Sequence, residues 1–248
     1  MKKYLYDIFA DKWIKPTGGT VWIFSDPHFS DLEAYRFKKI IKIPDKKDYF
    51  SKFKDGDIFE TYETHIKKLV EKADKEQIKK INSKVGKNDT IIFLGDVGNL
   101  ECIKDIKGYK VLILGNHDKG ASNYKRRIEP EIIISNGISK DYDLYTDNHL
   151  FDEVYEGPLM INDRVILSHE PVAVPEYMYN VHGHVHNKHF KGDDHHLNCC
   201  AEAIDNTPVN LLKLIKEGLL KNIPNIHKPT IAGAVERKKA KETKNNVK

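Results

Sequence analysis

The sequence predicts an α/β protein whose functional groups stand at the ends of its strands. Three observations carry this. Five short apolar runs rich in β-branched residues recur along the 248 residues, and each closes on Asp, Asn or His. Helical apolar spacing fills the stretch between the first two runs. Continuous apolar runs of about four to eight residues read as central strands buried on both faces. Ligands of α/β sheets gather at the carboxyl ends of strands, so polar clusters repeatedly placed there point to one site.

The first strand is "TVWIFSD" (20–26). Residues 31–88 then form an excursion. Its first half, "YRFKKIIKIPDKKDYFSKFKDGD", mixes aromatic and basic residues and is broken by Pro44 and Gly56. Its second half spaces Ile66, Leu69, Val70, Ile78 and Ile81 at helical intervals, with Asp74 as a candidate N-cap of a second helix. The excursion reads either as a lip that touches substrate or as an amphipathic cover over one end of the core. Strands follow at "DTIIFLGD" (89–96) and "YKVLILGNHD" (109–118), then acidic, tyrosine-rich connections at 129–150. A hairpin turning at Asn162-Asp163 leads into "RVILSHEP" (164–171). "YNVHGHVH" (179–186) and "HHLNCCAEAID" are further strands, "KHFKGDDHH" between them a polar loop, and "PVNLLKLIKEGLL" a helix. Pro224 and Pro229 mark the exit, giving one domain over 1–228 and a basic tail over 229–248.

Composition narrows the class. Hydrophobic content of 40% beside 31% charged residues is that of a globular chain. No apolar run approaches the roughly 20 residues needed to span a bilayer. Asp7 and Asp11 interrupt any signal-peptide core near the N-terminus, so a cytoplasmic location without membrane attachment is expected. Three cysteines, two of them adjacent, give no disulfide framework and read as small buried residues. The net charge of +4 equals that of the last fifteen residues, which hold six Lys/Arg and two Glu. The body is therefore neutral, and the basic pI by itself does not argue for nucleic acid.

The chemistry-bearing residues stand at the strand ends: Asp26 and His28, Asp96, Asn116-His117-Asp118, His169, then His184 and His186. All offer N or O donors. Carboxylate and imidazole together suit borderline-hard divalent ions such as manganese, iron, nickel or zinc. Read as extended chain, Asp26-x-His28 and His184-x-His186 each set two donors on one side. Gly95, Gly115 and Gly183 each precede a donor and permit tight turns and close backbone approach.

These blocks, "DPH", "GD", "GNHD", "SH" and "GHVH", resemble in kind and order the motifs of the calcineurin-like metallophosphoesterase superfamily. The resemblance implies a four-layer α/β/β/α sandwich, two mixed sheets flanked by helices, with a dimetal site at the strand-end loops. It implies two divalent ions, manganese favoured. Asp26, His28, Asp96 and His186 would hold one, and Asp96, Asn116, His169 and His184 the other, with Asp96 bridging. A metal-bridging hydroxide would attack phosphorus, His117 would serve the leaving group, and Asp118 would orient the His117 ring. Among substrate contacts, Arg36 and Lys38 are candidates from the lip. His182 fits no family position and reads either as lining the groove or as a structural histidine.

The implied activity is hydrolysis of P–O bonds, most directly in phosphodiesters derived from nucleotides or nucleic acid, with a phosphomonoesterase as the alternative. The motifs "GDYVDRG" and "RGNHE" of protein serine/threonine phosphatases are absent. "GDVGN" and "LGNHD" are closer to small bacterial and viral members. A scaffold on the same fold, like a retromer subunit, is the reading from another class. Such members lose ligands, and this chain keeps all of them. No obligate protein partner is evident.

Overall fold

The computed structural model describes residues 19–53, 60–118, 124–128, 142–146, 150–162, 164–188 and 194–223, with 124–128 and 142–146 taken as backbone. The expectations for the N-terminal segment, Gly56, Asp163, Pro224, Pro229 and the tail lie outside them. The strands are β1 (Val21–Phe24), β2 (Thr90–Phe93), β3 (Tyr109–Ile113), β4 (Tyr124–Ile128), β5 (Tyr142–Thr146), β6 (Glu153–Tyr155), β7 (Leu159–Asn162), β8 (Val165–Leu167), β9 (Tyr179–His182), β10 (His196–Asn198) and β11 (Val209–Asn210). The helices are α1 (Leu32–Phe37), α2 (Lys46–Phe50), α3 (Tyr62–Asn82) and α4 (Leu211–Glu217), with a 3-10 turn at Leu100–Asp105.

Two mixed sheets with flanking helices result, the α/β arrangement expected. One sheet runs β11-β1-β2-β3-β6-β5-β4 and the other β10-β9-β8-β7. Strands β1, β2, β3 and β6 are parallel to one another, whereas β11 and β5 run against them. The expected connection at 129–150 contains β5, which pairs with β4. Aromatic and β-branched residues at β5 fit a strand, but no apolar run marks it.

Side-chain alternation explains why the central strands are apolar over most of their length, Thr90 and Lys110 standing near the starts of β2 and β3. Phe24, Ile91, Phe93 and Leu112 face one way, into a core with Ile78 and Ile81 of α3. Val21, Ile23, Ile92, Val111 and Ile113 face the other, into a core with Val165, Leu167 and Val181 of the second sheet. Each strand thus feeds two cores, and each fully buried aliphatic contributes about 1.5–3 kcal/mol. Phe24, Phe93 and Leu112 stand in one level row across three strands. Leu167 and Val181 are level in the second sheet. The polar clusters that follow therefore emerge at a common edge.

Helix α3 is one continuous element rather than two. Thr61 caps it, its hydroxyl accepting from Thr64 N at 3.2 Å. Asp74, expected as a second N-cap, lies in its interior and is buried. There its carboxylate accepts from the Ser30 amide and hydroxyl at 2.8 Å each, and from the Tyr35 hydroxyl. A carboxylate spacing that looks like a cap locally is a tertiary tie between α3 and the loop after His28. No described helix is long and apolar enough to cross a membrane.

Candidate metal centre

The loops leaving β1 and β2 are stitched together beyond the sheet. Asp26 N donates to Gly95 O at 3.1 Å, His28 N to Asp96 O at 3.1 Å, and Phe29 N to Val97 O at 2.9 Å. In the second sheet, Gly183 N donates to His169 O at 2.8 Å. The two loop pairs meet where glycine removes the side chain. A Cβ on Gly183 would lie 1.9 Å from Ser25 Oγ and 2.3 Å from Asp26 Oδ2. One on Gly115 would lie 2.1 Å from Asp96 Oδ1.

Two groups of donors come together at this meeting point. Asp26, His28 and His186 form one, and Asp96, His169 and His184 the other, with donor atoms within 4.8 Å of one another in each. Asn116 joins the second group: its Oδ1 is 2.7 Å from His169 Nε2 and 3.0 Å from His184 Nδ1. Asp96 Oδ2 lies between the groups, 3.7 Å from His28 Nε2 and 3.4 Å from His169 Nε2. Residues as far apart in sequence as Asp26 and His186 thus share one small volume.

The backbone here differs from extended chain. Of nine non-glycine residues with positive φ among those described, five are Asp26, His28, Asp96, His184 and His186. Left-handed backbone costs an L-residue about 1–2 kcal/mol, and such outliers concentrate where function requires them. Alternation along an extended strand is therefore not what aligns Asp26 with His28, or His184 with His186. It also separates His182 from them. His182 ends β9, is buried, and sets its ring 5.7 Å from that of His196. Its Nδ1 is 2.8 Å from Gly183 O. His196 itself opens β10, within the strand expected at "HHLNCCAEAID".

The donors fit a pair of divalent cations on three grounds. Asp26 Oδ1 and His28 Nε2 are buried, 3.8 Å apart, and have no hydrogen-bond partner. Leaving such atoms unsatisfied costs about 1–3 kcal/mol each, a cost that a cation between them would remove. The donor set is carboxylate, amide oxygen and imidazole, which suits borderline-hard ions. The one nearby sulfur, Cys200 Sγ at 3.3 Å from Asp26 Oδ2, is held protonated because burial pushes its pKa far up.

Charge is arranged to match. Burial opposes ionisation of Asp26, but His28, His169, the Ser25 hydroxyl and the His184 amide outweigh it and hold the carboxylate well below its usual range. Asp96 is lowered in the same way, against burial, by His169 and the His117 amide. Asp118 behaves oppositely. Burial raises it even though it accepts from Asp96 N at 2.7 Å, Gly115 N at 2.9 Å and Val97 N at 3.1 Å. The sequence reading sets Asp118 behind the His117 ring. In the structure its two oxygens clamp the backbone of both donor loops.

His117 stands at the open edge. Its side chain is 70% exposed, with Nε2 4.0 Å from Asp96 Oδ2, and its amide donates to Asp96 Oδ1 at 2.9 Å. The lip residues divide. Arg36 is exposed and pairs with Glu33 at 3.0 Å. Lys38, read as a substrate contact, is instead buried, donating to Asp26 O at 2.5 Å and lying 3.3 Å from Glu202 Oε2. Glu202 Oε1 is 2.5 Å from His186 Nδ1. Sequence reasoning missed Glu202. The available signal was the spacing Asn198, Cys200, Glu202, in which alternate residues all reach this site: Asn198 Nδ2 donates to His186 O at 2.5 Å.

A strand-end cage of carboxylate, amide and imidazole groups on a two-sheet α/β sandwich defines a metal-dependent hydrolase site. The family model described as calcineurin-like phosphoesterase matches residues 19–230, and the chain belongs to that family. Its members hydrolyse phosphoesters at dimetal centres, which the two donor groups parallel. No curated protein matches the chain. A solved structure of a protein of unknown function from Aquifex aeolicus covers 79% of this chain and 98% of its own, at 19% identity and a TM-score of 0.48. That likeness is too distant to bear on the site.

Proposed function

We propose that this protein is a phosphodiesterase acting on nucleotide-derived substrates. The observation that carries the metal dependence is the buried, unpartnered pair Asp26 Oδ1 and His28 Nε2 facing each other beside Asp96. Asp26, His28, Asp96 and His186 would hold one divalent cation, and Asp96, Asn116, His169 and His184 the other. When bound, such cations neutralise phosphoryl oxygens and acidify water towards neutral pH. Two carboxylates against two divalent charges leave the mouth positive, which attracts a phosphoester.

The protein's own residues do the rest. His117, held by its amide on Asp96 but with its ring in solvent, gives a proton to the departing oxygen or stabilises its charge. Asp118 keeps the two donor loops in register from beneath. His117 and Phe37 are both largely exposed beside the donor groups, and an exposed aromatic there favours a diester carrying a nucleoside substituent. Phe37 is 69% exposed, the most exposed large apolar side chain described, and its ring is 5.6 Å from that of His186. An aromatic face beside the reacting phosphate suits stacking of a nucleobase. Arg36, next to Phe37 in the sequence and exposed, is our candidate contact for a second phosphate. His182, being buried, supports β9 rather than touching substrate. We assign the domain to 1–228 with 31–88 as part of it, and the protein to the cytoplasm.

A panel of cyclic nucleotides, dinucleotides, RNA, single-stranded DNA, nucleoside monophosphates and dimethyl phosphate, each with manganese, nickel and zinc, tests this. Nucleotide diesters should be cleaved fastest, and Phe37→Ala should raise their KM about tenfold or more. Faster cleavage of monophosphates would make the protein a monoesterase. Absence of turnover with every metal would return the scaffold reading.

A further inference from the structure

Two charged residues outside the recognised motifs are buried against the first donor group. The Lys38 side chain is fully buried and that of Glu202 is 8% exposed. Burying such a pair gains little stability, because desolvation offsets most of the attraction. Its geometry gives another reason for it. Glu202 Oε1 accepts from His186 Nδ1 at 2.5 Å, which fixes the tautomer and leaves Nε2 free of a proton on the side of Asp26 and His28. Glu202 Oε2 faces Lys38 Nζ at 3.3 Å, and Lys38 Nζ donates to Asp26 O at 2.5 Å. One ion pair therefore grips two of the three members of this group, His186 by its ring and Asp26 by its backbone.

The second donor group is supported differently. His169 Nδ1 lies 2.7 Å from the carbonyl oxygen of Leu94, a neutral backbone partner. The nearest carboxylate to the outer nitrogen of His28 is Asp31, at 3.6 Å and with a side chain 44% exposed. A buried carboxylate stands behind the outer imidazole nitrogen of His186, and not behind those of His28 or His169.

We infer that Lys38 and Glu202 are positioning residues that set the affinity of the Asp26/His28/His186 cation and leave that of the Asp96/His169/His184 cation unchanged. This rests on the two-cation reading of the site. A carboxylate behind a ligating imidazole raises its basicity and fixes its direction, and removing such a partner weakens metal binding about 10–100-fold. Lys38 has a second effect: without it Glu202 is a buried charge without compensation, and Asp26 loses its backbone anchor.

The test is calorimetric titration of metal-free protein with Mn2+, together with electron paramagnetic resonance. Wild type should bind two equivalents and show a coupled two-manganese spectrum. Glu202→Gln keeps the shape and removes the charge, so one equivalent should weaken about 10–100-fold while the other holds. The coupled spectrum should give way to that of isolated Mn2+ at one equivalent. Lys38→Met should lose the same equivalent, and Glu202→Gln in a His28→Ala background should add little further loss. If Glu202→Gln binds both equivalents as wild type does, or weakens both alike, the inference is overturned. Circular dichroism of each variant separates unfolding from selective loss, and Glu202→Gln, being isosteric, decides the case if Lys38→Met does not fold. If wild type itself binds no cation, the two-cation reading fails instead.

Discussion

Gly183 is where the two sheets' loops touch, and adding one methyl group there gives a severe, calculable perturbation. In Gly183→Ala the new carbon would sit 1.9 Å from Ser25 Oγ, 2.3 Å from Asp26 Oδ2 and 2.8 Å from Ser25 Cβ. Ordinary contacts are about 3.5 Å or more. Turning the serine hydroxyl away does not relieve this. It would break the bonds from Ser25 Oγ to Asp26 Oδ2 at 2.6 Å and to Leu94 O at 2.9 Å, and the other two overlaps would remain. Ser25 and Asp26 are both wholly buried, so the loops must separate by about 1 Å. Overpacking of this kind costs about 1–3 kcal/mol, and losing the hydrogen bonding of the single Ser25 hydroxyl proton, shared between those two acceptors, adds about 1 kcal/mol. A total near 3 kcal/mol lowers Tm by roughly 6–12 °C in a chain of this size. Asp26 also loses its bond from His184 N, now 2.8 Å, so Mn2+ uptake should fall with stability.

Thermal melts and Mn2+ titration of this variant are read against Gly157→Ala, where the added carbon meets nothing within 4 Å. Adding Ser25→Ala to Gly183→Ala should restore less than half of the loss, since only one of three overlaps is removed. A Gly183→Ala protein that melts with the Gly157→Ala control and binds metal normally would refute the reasoning.

Asp96→Asn removes the charge between the two donor groups and should strip or mis-populate both cations. Full occupancy of two metals by elemental analysis would contradict that position for Asp96. His117→Gln should retain both metals and slow poor leaving groups most, by roughly 10²–10⁴-fold; an equal loss on activated nitrophenyl esters would argue against a proton donated to the leaving oxygen. Asp89 accepts from Thr20 N and Gly86 N at 2.8 Å and from Trp22 Nε1 at 3.0 Å, and these donors outweigh burial to lower its pKa. A lowered folded pKa gives stability that is present above the ordinary carboxylate value and lost as pH falls through the folded one. Asp89→Ala should therefore cost about 2 kcal/mol at pH 7 and progressively less below pH 4, and a Tm difference constant between pH 7 and pH 3 would exclude this account.

The donor set was legible in the chain because each donor follows an apolar run that can only be a buried strand. Two-sided burial demands apolar residues at nearly every position of β1, β2 and β3, Thr90 and Lys110 near the strand starts being the exceptions, and that demand writes itself into adjacent residues. Strand pairing then carries Asp26, Asp96 and Asn116 to one edge whatever else the fold does. Tertiary structure alone decided the rest. Left-handed backbone at His184 breaks the alternation that would have placed His182 with its neighbours, and φ is not visible in residue order. Asp74 reads as a cap because capping is local, yet its partners Ser30 and Tyr35 lie about forty residues away. Lys38 looks like a surface cation until Glu202, 164 positions later, turns it inward. Local physics wrote the strands and their polar ends into the sequence; pairing between distant charges exists only once the chain has closed on itself.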